Sequence, residues 1–109
     1  MNEYERAIYA VRYQTILEAS AYIVKLNELD GHVLPQFISE MESYRLPLLR
    51  MVAKNDILSE TAKYTLESLN AGIRWHKTRD KSDYKRMIQA YKQSDEEVEK
   101  VRREVRVWL

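Results

Sequence analysis

The stretch that decides the fold is residues 84–108, which read YKRMIQAYKQSDEEVEKVRREVRVW. Mostly apolar residues recur in it at alternating intervals of three and four, which is the spacing of the contact positions in a coiled coil. The residues at these positions are Tyr84, Met87, Tyr91, Ser94, Val98, Val101, Val105 and Trp108. This set, called here the heptad seam, predicts one long helix that begins at Asp80 or Ser82 and runs to the end of the chain.

Within this helix, residues 94–97 allow an alternative interpretation. Ser94 followed by Glu97 resembles a capping box, which would begin a new helix at that point. The heptad seam keeps its phase across Ser94, and this favours a continuous helix.

The first helix is predicted from its two ends. Asn2 with Glu5 three residues later is typical of a helix start, and Asp30-Gly31 is typical of a helix end because glycine adopts the left-handed conformation easily. Between them one apolar strip consists of Ile8, Val11, Thr15, Ala19, Tyr22, Leu26 and Leu29, and a second consists of Ala10, Leu17, Ala21 and Val24. A helix with two apolar strips is usually covered by more than one neighbour.

The middle of the chain predicts shorter helices. Pro35 suits the first turn of a second helix, which Pro47 should kink or break near Arg45-Leu46. We expect Ser59 to cap a third helix. Gly72 lies inside that helix, and we interpret it as a point of close packing against another helix.

These elements predict an all-α fold, namely a small bundle of about four helices in a single domain of residues 1–109. Two glycines and two prolines are too few for the many tight turns of an antiparallel sheet. The first and last helices, of about 27 residues each, should reach about 40 Å, and the middle ones nearer to about 30 Å. The excess length of the outer helices predicts a partner.

Several classes of function are excluded or disfavoured by composition. The chain has no cysteine, which excludes thiolate chemistry and cysteine-based metal sites, and its two glycines exclude a phosphate-binding glycine loop. His76 and Asp80 could share a helix face, but the spacing implies no third metal ligand, and His32 lies in a loop with no partner. The carboxylates of Asp95, Glu96, Glu97 and Glu99 fit a solvated face. The longest stretch without a charged residue, 31–39, is too short to span a membrane. We therefore expect a soluble cytoplasmic protein that is not an enzyme and has no cofactor or metal.

Charge is the one uneven feature of the sequence. Residues 74–92 contain seven basic residues against Asp80 and Asp83, a net charge of +5, although the whole chain carries only +1. Basic groups beside an aromatic residue such as Trp75 are typical of phosphate and base contacts. This makes a nucleic-acid-binding regulator the alternative hypothesis, with Arg74, Lys77, Arg79, Lys81, Lys85 and Arg86 as its candidate contacts.

The main hypothesis is a small non-catalytic protein–protein interaction module, such as an adaptor, a regulatory subunit or an inhibitor. It would act as a homodimer through an exposed heptad seam on the last helix. The predicted interface residues are Tyr84, Met87, Tyr91, Val98, Val101, Val105 and Trp108. In the competing account the same seam packs within one chain, against the first helix.

Overall fold

The computed structural model describes the backbone of residues 2–108 and the side chains of residues 2–104. This part of the chain contains helices and no strand, and the helices are α1 (Glu3–Glu28), α2 (Pro35–Glu42), α3 (Arg45–Ala53), α4 (Ser59–Thr78) and α5 (Lys81–Trp108). Because α3 continues α2 after a two-residue break, the architecture is a bundle of four helical rods that run alternately up and down. The predicted all-α bundle with long outer helices is confirmed.

The two ends of α1 are built by the residues that the sequence singled out. The Glu5 backbone N–H donates to the Asn2 side chain at 2.8 Å, and the Asn2 amide donates to the Glu5 carboxylate at 3.3 Å. At the other end Gly31 has φ +73°, and its N–H donates to the carbonyl of Leu26 at 2.9 Å. These local contacts close both ends of the helix.

The break in the second rod falls at Ser43 and Tyr44, two residues before the predicted position at Arg45-Leu46. Pro47 explains the shift, because its ring crowds the carbonyl of Ser43 and it has no N–H to donate there. The helix therefore stops before Ser43, and Pro47 becomes the third residue of α3, where a missing N–H costs nothing.

Helix α4 is the centre of the molecule. Half of its 20 residues are buried, because α1, α3 and α5 all pack against it. The expected capping role of Ser59 is wrong. Ser59 is the first helical residue, and its hydroxyl donates to the Met51 carbonyl at 2.9 Å and accepts from the N–H of Asp56 at 2.8 Å. The Asp56 carboxylate accepts the N–H of Leu58 at 2.9 Å.

The antiparallel pair of α4 and α5 is joined by close packing and by buried hydroxyls. A Cβ atom on Gly72 would lie 3.0 Å from both Leu26 of α1 and Met87 of α5, which confirms the close packing predicted there. The hydroxyl of Ser94 lies 2.7 Å from that of Thr65. Because Ser94 faces α4 in this way, α5 passes through it without a break, and the capping-box alternative is not adopted.

The molecule is elongated, with extents of 45 × 24 × 23 Å. Helices α1 and α5 have 26 and 28 residues, longer than the 20 of α4, and since they run antiparallel their extra turns lie at the same end. None of the described helices combines the length and the hydropathy that crossing a membrane requires.

Candidate protein-binding groove

The part of the heptad seam that the structure describes, from Tyr84 to Val101, faces the inside of the molecule. Met87, Val98 and Val101 are 0%, 7% and 2% exposed, and the ring of Tyr84 packs against that of Trp75 at 4.8 Å. The expectation of an exposed seam is therefore wrong at the three buried positions. The seam packs within the chain, as the competing account held, but mainly against α4 rather than α1. The side chains of Val105 and Trp108 lie outside the described residues.

A groove runs between α1 and α5, because both helices pack mainly on α4 and contact each other much less. The buried strip of α1, which packs mainly on α4, consists of Ile16, Ala19, Ile23 and Leu26. Only Ala19 and Leu26 belong to the first strip predicted from the sequence, and that prediction is wrong at Val11 and Leu29, which are 67% and 42% exposed.

Three of the four residues of the second predicted strip, Leu17, Ala21 and Val24, line the groove, while Ala10 is exposed and lies outside it. Leu17 and Val24 are half-buried, while Ala21 is exposed. This is the strip that the sequence predicted to need a second neighbour.

The opposite wall of the groove is formed by α5. Tyr91, Ser94 and Val98 of the heptad seam line it, so these residues contact α4 on one side and the groove on the other. Burial raises the pKa of Tyr91, and the nearby Asp95 carboxylate raises it further. The volume of the groove is about 370 Å³, and its charged rim consists of Lys25, Glu28, Asp95, Glu99 and Arg102.

A shallower groove lies on the other side of Ala21, between α1 and α2. Its volume is about 410 Å³, and it is lined by Ala21, Tyr22, Lys25, Phe37 and Glu40. Because Ala21 borders both grooves, it lies on the most outward part of α1, and its side chain is only a methyl group. This part of α1, called here the ridge, therefore has a groove on each side.

Two tyrosines attach α1 to the second rod beside this ridge. The hydroxyl of Tyr22 donates to Glu40 at 2.6 Å, and that of Tyr44 donates to Glu18 at 3.2 Å. The hydrogen bond to Glu40, together with partial burial, raises the pKa of Tyr22 to about 12. Burial raises the pKa of Tyr44, and the Glu18 carboxylate adds to this. These bonds hold the ridge of α1 in place.

Residues 74–92, called here the basic segment, span the end of α4, the α4–α5 turn and the first part of α5. The turn lies at the opposite end of the bundle from the extra turns of α1 and α5. The arginines of the basic segment are engaged within the chain: Arg74 pairs with Asp83 at 3.2 Å, Arg79 with Asp30 at 3.8 Å and Arg86 with Glu67 at 2.6 Å. Lys77, Lys81 and Lys85 are exposed and make no ion pair with any described residue.

Trp75, the aromatic residue proposed for base contacts, is not available as a stacking platform. Trp75 is 5% exposed, and the guanidinium of Arg79 lies over its ring at 4.8 Å. A base could stack on Trp75 only after Arg79 moved away. The structure therefore brings the six predicted basic residues to one end of the bundle, while three of them and the tryptophan are already occupied.

The histidines have structural neighbours. His76 is half-buried, and its Nδ1 lies 2.9 Å from the carbonyl of Gly31, which ties α4 to the end of α1. Exposed His32 lies 4.0 Å from Asp30. In the described part of the chain no three His, Asp or Glu side chains are grouped closely enough to hold a metal ion.

Comparison with known proteins adds no relative: no family model matches the chain, and neither a curated protein nor a solved structure matches it. The groove and its chemistry are therefore interpreted from the residues themselves.

Proposed function

We propose that this protein is a small non-catalytic interaction module that binds a helix of a partner protein. The helix would bind along the surface of α1 and α5 that contains the groove, called here the α1–α5 face. One observation carries the proposal: Leu17, Ala21 and Val24 of the second apolar strip line a groove between α1 and α5 that is open to solvent. An apolar strip that a chain does not cover itself is typical of a binding surface.

The dimensions and chemistry of the groove suit a helix. Its α1 wall runs from Leu17 to Glu28. That is about 17 Å, or roughly three helical turns, at about 1.5 Å per residue. An amphipathic helix presents apolar side chains at that spacing and would place them between the two walls. The charges on both rims would then select the register and direction of the bound helix.

The absence of catalysis and the cytoplasmic location are parts of the same proposal. A general acid requires a desolvated carboxylate, whereas Asp95 and Glu99 on the rim are exposed. The lack of cysteine is consistent with a reducing compartment, where disulfides do not form.

The experiment compares capture by three tagged forms of the chain: wild type, Ala21→Glu and Leu49→Glu. Ala21→Glu places a charge on the ridge without touching the core. Leu49→Glu is the matched control, since Leu49 is 55% exposed in a separate apolar hollow between α3 and α4. We expect wild type and Leu49→Glu to retain a partner protein that Ala21→Glu does not retain. The same difference should appear when each purified form is mixed with the purified partner. Identical retention by wild type and Ala21→Glu would contradict the proposal.

A second candidate function is nucleic-acid binding through the α4–α5 turn. The observation that favours it is the presence of Lys77, Lys81 and Lys85 at that turn, exposed and without an ion pair in the described part of the chain. Three such lysines can contact phosphates without first breaking an internal contact.

A further inference from the structure

We propose that the helix bound on the α1–α5 face is α1 of a second copy of this chain, packed antiparallel about a two-fold axis at Ala21. This inference rests on the proposed function, because it assigns the occupant of the same face. It differs from an association through the heptad seam, whose central residues are buried in the monomer.

The apolar strip of α1 is symmetric about Ala21. Leu17 lies four residues before it and Val24 three residues after it, so a two-fold axis at Ala21 places Leu17 of each copy beside Val24 of the other. The two Ala21 methyl groups then meet on the axis, where small side chains let the helix axes approach closely. The half-buried Leu17 and Val24 would become covered on both sides.

The charges beside the strip specify the antiparallel direction. Glu18 and Lys25 are seven residues apart, so they lie on the same flank of α1, two turns from each other. Antiparallel packing about Ala21 brings Glu18 of each copy next to Lys25 of the other, which makes two opposite-charge pairs. Parallel packing would instead place Glu18 and Lys25 of the two copies on opposite sides of the helix pair, where they do not form these ion pairs.

Both charged groups are available for these contacts. Glu18 is exposed, and although it accepts a hydrogen bond from Tyr44, a carboxylate has further acceptor sites. The side chain of Lys25 is 58% exposed and lies 3.6 Å from Glu28. An exposed ion pair of this kind within one helix surface is easily exchanged for another.

The face is large enough for a stable dimer. A side of the molecule measures about 45 by 24 Å, and α1 runs along most of the long direction. A specific dimer covers about 800 Å² on each partner, which a face of these dimensions can supply. The α5 helices of the two copies would flank the central α1 pair across the groove.

The test uses charge reversal at the two flanking positions, followed by sedimentation equilibrium. Wild type should dimerise. Glu18→Lys and Lys25→Glu should each raise the dimer dissociation constant by about tenfold or more, because each variant turns two attractive pairs into repulsive ones. An equimolar mixture of the two variants should form a heterodimer of wild-type affinity, since all its flanking pairs are attractive again. The double variant Glu18→Lys/Lys25→Glu should recover the homodimer.

Folding is controlled by circular dichroism, which should be the same for all four proteins because both positions are on the surface. A wild type that stays monomeric at millimolar concentration would overturn the second copy as occupant. If wild type dimerises but Glu18→Lys and Lys25→Glu do not form a heterodimer with each other, the antiparallel α1 packing is wrong. Neither result would contradict the proposed function. That proposal fails only if wild type and Ala21→Glu retain a partner equally.

Discussion

Single residues decide how closely the helices of this bundle approach. Gly72 is the clearest case, because the absence of its side chain lets Leu26 of α1 and Met87 of α5 meet over the same turn of α4. A glycine inside a helix costs about 1 kcal/mol relative to alanine, and here that cost is offset by packing of three helices at one point.

Enlarging this residue should therefore be destabilising in a graded way. The atoms added by Gly72→Leu would overlap Leu26 and Met87. We expect this variant to lower the free energy of unfolding by about 2–3 kcal/mol, as overpacking of a core does. Gly72→Ala should change it by less than about 1 kcal/mol, because the gain in helix propensity offsets mild crowding at flexible side-chain ends. Urea denaturation measures both. A Gly72→Leu variant with the same free energy of unfolding as wild type would show that the three helices are not in close contact at this position.

The bond between Tyr22 and Glu40 predicts a loss of stability in alkaline solution. The pKa of Tyr22 is raised from 10.0 to about 12, so the folded state holds this proton more tightly than the unfolded state does. The stabilisation is fully present below a pH of about 10 and should be lost as the pH rises through about 12.

Denaturation at a series of alkaline pH values, with ultraviolet titration of phenolate, tests this prediction. Tyr22→Phe should remove the tyrosine that titrates last. Glu40→Gln should move its pKa back toward the ordinary value, because the carboxylate charge that holds the proton is gone. A titration curve unchanged by either substitution would contradict the assignment.

The role of a residue could be predicted from the sequence where the residue acts within its own helix end. It could not be predicted where two side chains compete for the same hydrogen-bond partners. Asn2 and Gly31 act within their own helix ends, so their roles were confirmed. Ser59 lies beside Asp56, a second side chain able to accept the same orphan N–H groups. The sequence does not decide between them, and in the structure Asp56 accepts one of these groups while Ser59 reaches back to α3.

At the scale of whole elements, the sequence predicted the apolar face of α5 correctly but assigned it the wrong neighbour. A heptad pattern specifies that something packs on the face, whether the partner is the same chain or another. The choice depends on α4, whose Thr65, Ser68 and Gly72 are small enough to receive the seam closely. Nothing in the α5 pattern itself carries that information.

Because the seam is internal, a charge within it should unfold the protein rather than separate two copies. Val101 is 2% exposed. Val101→Glu places a carboxylate at this buried position and should lower the free energy of unfolding by about 3 kcal/mol or more.

The matched control is Val11→Glu, since Val11 is 67% exposed. This variant should change the free energy of unfolding by about 0.5 kcal/mol or less, as is usual for a substitution on the surface. Thermal denaturation followed by circular dichroism compares the two variants. A Val101→Glu variant as stable as Val11→Glu would contradict the packing of α5 described above.

The α4–α5 turn provides the test of the nucleic-acid alternative. If it binds phosphates, replacing Lys77, Lys81 and Lys85 by Gln should weaken duplex binding and reduce its dependence on salt, by about one unit of the logarithmic slope per lysine. Replacing Lys54, Lys63 and Lys100, which are exposed elsewhere, is the control with the same change in net charge. Absence of binding at low salt, or equal loss with both triple variants, would dismiss this function.

For the molecule as a whole, the central position of α4 explains both the stability of the core and the presence of an open groove between α1 and α5. The sequence predicted four rods and their lengths, because periodicity and punctuation are local. It did not predict the groove, which lies between α1 and α5 because both helices pack mainly on α4. The second apolar strip of α1 was the one available signal, and its outward direction became evident only once the structure placed Ile16, Ala19, Ile23 and Leu26 in the core.

This arrangement predicts an uneven distribution of stability along the bundle. Half of the residues of α4 are buried, and three helices pack on it, so the backbone amides in its middle should exchange hydrogen mainly through global unfolding. Residues 3–7 of α1 are all exposed, with Tyr4 at 74%, whereas the next turns are held by Tyr9, which packs on the core, and by Arg12, which pairs with Asp56 at 3.5 Å. We therefore expect amide exchange in residues 3–7 to be at least about a hundredfold faster than in residues 61–75 under native conditions. Hydrogen-exchange mass spectrometry measures both segments in one experiment, with the buried strip of α1 at residues 16–26 as the internal reference of intermediate to high protection. Equal protection of residues 3–7 and α4 would mean that the first turns of α1 are held by contacts that the single chain does not make, and the description of that end as open would be wrong.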